Sequence, residues 1–387
     1  MDVGRLRKQI PVCQAMTYMN TGWSGPSPLP VVGAIKDRLD LEMTQAPTSP
    51  DVQQSGKEIQ TKAREAVARL LNATPEEICL TKNTTEGINF VINGLPWQPG
   101  DEIITCSLEH NSVLVPSYYQ QHRHGAVVKV LDIATDESQD GILEKIGAAV
   151  TERTKLIFLS HIEYSCGLRM PVKEIRQLIR DRGALILLDG AQTAGHVALD
   201  MQELDCDFYS IAGQKWLLGP EGTGALYIRR ELIPQVAPVS VAGRAAVKTG
   251  SPYEFQPIED SMEKFQITST SAPLQTGLLK TVEFIQDIGV GEIEERDLDL
   301  AGRMKQALLE TPGVKVLSPL DRRGSSGLVT FNIDGMGPEE AVSRLWEGHR
   351  ILVRTVSFPS CIRASLHFFN TEEEVDQVVE AVRGLAR

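Results

Sequence analysis

The chain has no cysteine pair at metal-ligating spacing, no long apolar run, no glycine-rich nucleotide fingerprint and no surplus of basic residues. Its six cysteines, Cys13, Cys79, Cys106, Cys166, Cys206 and Cys361, are scattered without a CxxC pair, which disfavours a zinc site or a disulfide framework. The histidines also lack ligand spacing: His122 and His124 flank one arginine in what reads as a solvated helix end, so no metal is expected. No window is apolar enough to cross a bilayer, and residues 1–8 are not followed by an apolar core with a small-residue cleavage site. A cytoplasmic protein with no membrane partner is therefore expected. Lysine and arginine number 39 against 51 acidic residues, a net charge of −12, which argues against nucleic acid as a partner. Neither GxGxxG nor a GK[ST] phosphate loop occurs, which argues against a plain nucleotide-binding protein.

What the chain does have is alternation. At 387 residues, one large domain and a smaller one are the natural expectation. Short apolar runs at 78–81, 102–106, 127–131, 156–160 and 185–189 read as strands. Helical patterns beginning at 84 and covering 111–121, 141–150 and 172–180 fall between them. Such alternation implies right-handed crossovers and a largely parallel sheet covered on both faces, with ligands bound beyond the carboxyl ends of the strands. Thr84, His110, Asp189 and Gln192 each fall at or just after such an end. Upstream, 31–41 reads as a helix, 42–55, with its prolines and serines, as a loop, and 57–71 as an amphipathic helix with Ala63, Ala66, Val67, Leu70 and Leu71 on one face. Downstream, 234–257 is irregular and 265–273 is a hydroxyl-rich entry to a helix ending near 288. A long helix over 292–309 leads to a smaller α+β layer. Its expected strands are 314–317, 328–333, 351–353 and 362–368, covered by helices over 338–346 and 372–385. The expected division is 1–30 as an N-terminal segment contributing to the active site, 31–290 as the large domain and 291–387 as the small one.

Lys215 stands between an apolar segment and a glycine-rich turn, Gly219-Pro220-Glu221-Gly222-Thr223-Gly224. Alone it would read as a solvated loop lysine. Upstream, however, the apolar run 184–188 ends in Asp189, the pattern of a buried strand that delivers a carboxylate at its tip. An amine for a covalent carbonyl adduct and an acid for a ring nitrogen are the pair a pyridoxal phosphate site needs. The turn-rich 17–28 segment places Trp23 among glycines and prolines, as a lid or as a packed anchor. The hydroxyls of Thr84 and Thr85 at a helix start suit a phosphate, or a simple cap.

With these pieces in place the chain resembles the class V aminotransferase family of fold-type I pyridoxal phosphate enzymes. This group includes cysteine desulfurases, cystine C–S lyases and isopenicillin N epimerase-like proteins. The resemblance rests on Asn83-Thr84-Thr85-Glu86-Gly87, Glu109-His110, Asp189-Gly190-Ala191-Gln192, Gly213-Gln214-Lys215-Trp216 with Gly219-Pro220, and Arg363-Ala364-Ser365-Leu366 followed by Asn370-Thr371-Glu372-Glu373. It implies an α/β fold with a mostly parallel central sheet in a large domain and a smaller α+β C-terminal domain. It also implies Lys215 as the Schiff-base lysine and later the base at the substrate Cα, Asp189 as the acid at the pyridine nitrogen, and His110 stacked on the ring. Gln192 would bond the phenolic oxygen, and Thr84 and Thr85, with Gln214, would hold the phosphate. Arg363 would clamp the substrate carboxylate, for which a lysine is a poor substitute. In the family a hydroxyl-bearing segment of a partner subunit completes the phosphate site. Thr268 to Thr270, with Ser269, fall where that segment belongs, so the resemblance implies a homodimer with its active site at the interface.

Departures from the family pattern bear on the reaction. Gln214 and Ala212 stand where histidine and a hydroxyl residue are common, and Tyr164 or Ser165 falls where many members place an asparagine. Desulfurases carry a nucleophilic cysteine on a loop between the equivalents of Arg354 and Arg363, and here that connection is short, with Cys361 its only thiol. The resemblance then implies a C–S lyase acting on a cysteine- or cystine-type amino acid. Epimerase, aminotransferase and desulfurase activities are the enzymatic alternatives, and a fold-retaining scaffold for a sulfur-handling partner is the non-enzymatic one. Trp23, Tyr164 and Phe358 are the candidate walls that read the side chain.

Overall fold

The computed structural model describes residues 1–248, 254–267 and 269–387. Its centre is a seven-stranded sheet with the spatial order Ile78–Thr81, Gly224–Ile228, Phe208–Ala212, Leu185–Asp189, Thr154–Ser160, Glu102–Cys106, Val127–Leu131. Six strands share one direction, and Gly224–Ile228 alone runs against both of its neighbours. A parallel return needs a crossover of a dozen or more residues, usually a helix. The connection after Ala212 carries none, so the chain turns back and lays down an antiparallel strand.

Alternate residues of the central strands enter two separate apolar clusters. Leu156, Phe158, Leu187 and Phe208 join one, and Ile157, Leu159, Ile186 and Leu188 join the other. Successive side chains of a strand point to opposite faces, so the sheet is buried on both sides, which is why its strands read as continuous apolar runs. The helix Thr84–Gly94 covers one face with Ile88, Val91 and Ile92. The helices Pro50–Leu71 and Ala272–Ile288 cover the other, and the expected face of Ala63, Ala66, Val67, Leu70 and Leu71 is buried there.

A second sheet, in the order Val314–Val316, Leu328–Ile333, Ser360–Ser365, Arg354–Ser357, is antiparallel throughout. It packs with the helices Val290–Leu309, Pro338–His349 and Glu372–Leu385 around a third apolar cluster. Thr371 and Glu374 form a reciprocal capping box at the start of the last helix. The N-terminal segment runs along this sheet: Thr17–Tyr18 pairs in parallel with Ile351–Leu352, and Asn20 bridges to Ser365. The expected 351–353 strand thus pairs with the N-terminus, and the neighbouring Arg354–Ser357 joins the sheet. The expected loop at 42–55 is mostly helix, because Leu29–Gln45 runs on and Pro50–Leu71 starts early. Proline is tolerated in a helix's first turn, where no donor is needed, so Pro50 opens a helix where it had read as a breaker. No helix among the described residues is long and apolar enough to cross a membrane.

The turn after the Leu185–Asp189 strand meets the Lys215 loop at Gly195, whose φ is +86° and where a Cβ would sit 2.5 Å from the Trp216 carbonyl oxygen. Gly195→Ala should therefore lower stability by roughly 2–3 kcal/mol, measured as a fall in the urea midpoint. An unchanged midpoint would mean that the turn tolerates a side chain.

Candidate active site

The loop carrying Lys215 is held carbonyl by carbonyl. Gly25 N–H donates to the Gln214 carbonyl at 2.6 Å, Leu218 N–H to the Lys215 carbonyl at 3.0 Å, and His367 Nε2 to the Trp216 carbonyl at 3.0 Å. Thr281 Oγ1 donates to the Leu217 carbonyl. Gly219 N–H closes the loop on the Gly213 carbonyl at 2.8 Å. A Cβ on Gly25 would stand 2.2 Å from the Lys215 carbonyl oxygen, so only glycine permits this approach of the N-terminal segment. The lysine is thereby fixed while its ammonium has no hydrogen-bonding or ion-pair partner among the described residues.

That ammonium opens into a cavity of about 440 Å³ at the carboxyl ends of the strands. Asp189, His110, Thr84, Thr85, Gln192, Gln214, Trp23, Tyr164 and Arg363 also line it, so the expected residues come together. Ser269 and Thr270 do not: both are exposed and line a neighbouring depression with Phe265 and Gln266. Thr268 lies outside the described residues.

Asp189 sits at its strand tip, paired in register with Ser160, and its Oδ1 accepts the Ala191 N–H at 2.8 Å. Burial pushes its carboxyl up, and the nearby Lys215 opposes that shift. Burial holds the Lys215 ammonium down to about 8; Asp189 works against this, while Arg363 and Arg354 add to it. His110 caps the helix Asn111–His124. The Ser112 N–H donates to its Nδ1 at 3.1 Å, so the neutral ring carries its proton on Nε2. Burial lowers this histidine to about 4, with Lys215, Arg354 and Arg363 contributing. The Ser112 hydroxyl links Nδ1, at 2.9 Å, to Thr85 Oγ1, at 2.8 Å, and the Tyr164 ring meets His110 edge-on at 5.0 Å.

Asn83 caps the helix Thr84–Gly94 by accepting the Glu86 N–H, and the Thr84 hydroxyl beside it is buried without a partner. Arg363 is buried, donates Nη1 to the Tyr164 carbonyl at 2.7 Å, and leaves Nε and Nη2 unpaired. Burial draws its guanidinium down to about 9. Arg354 projects from the edge strand of the small sheet and packs over the Trp23 ring at 4.4 Å. Neither arginine has an acidic partner among the described residues, so together they form a receptor for anions. Gln192 spends its amide on the protein: Nε2 donates to the Gly22 carbonyl at 2.9 Å and Oε1 accepts from Trp216 Nε1 at 2.8 Å, which leaves one amide hydrogen free. The Gln214 Oε1 is buried and unpaired.

Arg354 had served in the sequence only as a landmark for the desulfurase loop. The signal for it was a cation closing the apolar run Ile351-Leu352-Val353. Asn83, from the Asn83-Thr84-Thr85 motif, also lines the cavity, as do Ser160 and Ser112, whose residue types do not single them out. Glu109 accepts both the N–H and the hydroxyl of Ser160 at 2.6 Å each. With Cys106 and Glu163 it forms a buried trio whose burial pushes both carboxyls and the thiol up, favouring protonated groups over metal ligands.

An unpaired amine, a carboxylate, a helix N-terminus with an unpaired hydroxyl and two guanidiniums without acidic partners suit a molecule with an aldehyde, a basic ring nitrogen and a phosphate, bound beside a carboxylate. Pyridoxal phosphate with an amino acid meets that description. The low-lying Lys215 ammonium has a direct consequence. Reductive alkylation of Lys215 by a small aldehyde in cofactor-free protein should level off above about pH 8, whereas exposed lysines keep gaining reactivity toward about pH 10. Peptide-resolved mass spectrometry measures both, and a Lys215 profile matching the exposed lysines would contradict the burial effect.

Comparison with known proteins agrees with this geometry. Residues 24–378 match the family described as aminotransferase class-V. A probable cysteine desulfurase of Methanothermobacter thermautotrophicus is 29% identical over 399 residues, spanning 98% of this chain and 97% of the relative. One from Staphylococcus epidermidis is 32% identical over 336 residues, spanning 83% of this chain and 80% of the relative. Among solved structures, the cystine C–S lyase C-DES in complex with its product cysteine persulfide superposes with a TM-score of 0.91 at 28% identity, over 97% of this chain and 99% of that one. A cysteine desulfurase from Thermococcus onnurineus gives 0.89 at 27% identity, over 99% and 98%. By sequence, fold and the groups gathered at its strand ends, the chain belongs to the class-V aminotransferase family of pyridoxal phosphate enzymes.

Proposed function

We propose that this enzyme is a C–S lyase that cleaves the bond between the β-carbon and sulfur of a cystine-type amino acid. The observation that carries the proposal is the placement of the thiols. Sulfur transfer to the protein requires a thiolate at the substrate sulfur, and all six cysteines are buried, with none lining the cavity. Arg354–Ser357 and Ser360–Ser365 are joined by Phe358 and Pro359 alone, a hairpin too tight to carry a nucleophile to the cavity. Cys361 lies inside that hairpin, and burial pushes its thiol up to about 12. The similarity to C-DES supports the same reading.

Pyridoxal phosphate, when bound, supplies an electron sink for the pair released at the substrate Cα. Lys215 would hold it covalently, and Asp189 would keep its ring nitrogen protonated. Thr84, Thr85 and Gln214 would bind the phosphate, with His110 against the ring and the remaining Gln192 amide hydrogen toward the phenolic oxygen. Arg363, free at Nε and Nη2, would clamp the α-carboxylate and fix which Cα bond is aligned. With substrate bound, the Lys215 amine, which burial holds down to about 8, would take the Cα proton. The C–S bond breaks with its electron pair going to sulfur, and the three-carbon remainder ends, with water, as pyruvate and ammonia. Arg354, stacked on Trp23 and without an acidic partner among the described residues, would bind a second carboxylate, as cystine has and cysteine lacks. Tyr164 holds Arg363 through its carbonyl and would wall the side-chain path.

We further propose a cytoplasmic homodimer in which Ser269 and Thr270 complete the phosphate site of the partner. Their exposure, and their position outside this chain's own cavity, support that arrangement. We also keep the division into 1–30, 31–290 and 291–387, which the separate apolar cluster of the small sheet supports.

Incubation with cystine should release a persulfide together with pyruvate, with no amino acceptor required; turnover that depends on an acceptor and releases no sulfur would sink the proposal. Cys361→Ala should keep kcat within about twofold, because buried thiols outside the cavity take no part, and loss of activity in that variant would restore the desulfurase alternative. Arg354→Met should raise KM for cystine roughly 10- to 100-fold, the value of a hydrogen bond between charged groups, and change KM for cysteine far less.

A further inference from the structure

Immediately after Lys215, a group of buried polar side chains converges on Trp216. His196 stacks on its indole with ring centres 3.6 Å apart, and His367 meets it edge-on at 5.2 Å. The two histidines differ in what they hold. His196 Nδ1 donates to the Gln192 carbonyl at 2.8 Å and its Nε2 accepts the Gly327 N–H at 2.8 Å, so it joins one backbone segment to another and its tautomer is settled. His367 lies between the Trp216 carbonyl, 3.0 Å from Nε2, and Asp297 Oδ2, 2.8 Å from Nδ1. Both residues are fully buried, and Asp297 comes from the helix Val290–Leu309, far in sequence from each of its neighbours here.

A carbonyl can only accept, so His367 Nε2 must carry a hydrogen. Nδ1 and Asp297 then have one proton between them. Burial pushes the Asp297 carboxyl well up and holds His367 down to about 3. Wherever that proton sits, the bond between Nδ1 and Asp297 Oδ2 fixes the ring so that it presents its Nε2–H to the Trp216 carbonyl. Of the pair's remaining atoms, Asp297 Oδ1 is buried and unpaired. Two buried polar side chains, expensive to desolvate, thus deliver a single hydrogen bond to the rest of the protein. It falls on the carbonyl adjoining the cofactor lysine.

We infer that His367, oriented by Asp297, is a positioning residue for Lys215: it anchors the Trp216 carbonyl and so keeps the lysine amine aimed into the cavity. This role depends on Lys215 being the cofactor lysine and not on which bond the enzyme breaks. A displacement of about 1 Å at a reacting group costs around 100-fold in rate, and a loop that loses one of its carbonyl anchors moves on that scale.

The test compares holoenzyme variants. His367→Phe fills the volume without a donor. His367→Gln puts an amide N–H where Nε2 stands. Asp297→Asn keeps a donor facing Nδ1. After borohydride reduction, the fraction of Lys215 carrying cofactor is read by mass spectrometry, next to kcat and KM. His367→Phe should lower the trapped fraction and reduce kcat about 10- to 100-fold, with KM within about threefold. His367→Gln and Asp297→Asn should retain most of both. A wild-type trapped fraction and kcat in His367→Phe would overturn the inference, as would Asp297→Asn failing as badly as His367→Phe. If His367→Phe does not fold, loss of trapping in a folded His367→Gln would overturn it equally. A wild-type enzyme that releases no sulfur would remove the lyase proposal and leave the trapping comparison intact.

Discussion

A lysine amine in a cavity behaves as a reactive group only if it is kept out of water and kept still. Lys215 meets the first condition because the Phe208–Ala212 strand before it and Trp216 to Leu218 after it are buried. It meets the second through donors drawn from distant parts of the chain: Gly25 near the N-terminus, Thr281 from a covering helix, and His367 from the segment after the small sheet. Burial without restraint would leave a low-pKa amine that wanders; restraint without burial would leave an ordinary cation. The central sheet exists, in functional terms, to bring Asp189 to the same rim. Its two apolar faces bury the strand so completely that a carboxylate at its tip has only the cavity to point into.

The electrostatics of that cavity are lopsided. Lys215, Arg354 and Arg363 outnumber Asp189 and Glu221, and Glu109 and Glu163 behind Ser160 are held toward their protonated forms by burial. The excess positive charge suits a phosphate and carboxylates. Burial keeps His110 neutral, and the same field adds to that effect, since protonation would place a further cation in the site.

How much of this could be read in the sequence follows from how far apart the interacting residues lie. Asp189 and Lys215 were legible because each interrupts or terminates an apolar run, and Thr84 and His110 because they follow such runs. The alternating strands and helices were legible for the same reason. Arg354 was not, since its strand is short and a lone cation there resembles a solvated edge. The start of the Pro50–Leu71 helix was lost because a proline read as a breaker also fits a first helical turn. Asp297 and His367 carry no local mark: one is a charged residue on a long helix and the other stands beside two phenylalanines. Their meaning lies in a contact between segments 70 residues apart, aimed at a third segment 151 residues from His367. The proposed partner-subunit role of Ser269 and Thr270 rests on the family resemblance, with no neighbour in this chain to mark it.

The anchoring of one loop from both sides in sequence orders its assembly during synthesis. Gly25 is made before Lys215, and Thr281 and His367 after it, so the lysine loop has all of these anchors only once the chain has been made through His367. A nascent chain made as far as the last strand of the central sheet, Gly224–Ile228, has the Gly25 donor but not yet Thr281 or His367. The last of the loop's restraints thus comes from a part of the chain made after the strands of both sheets.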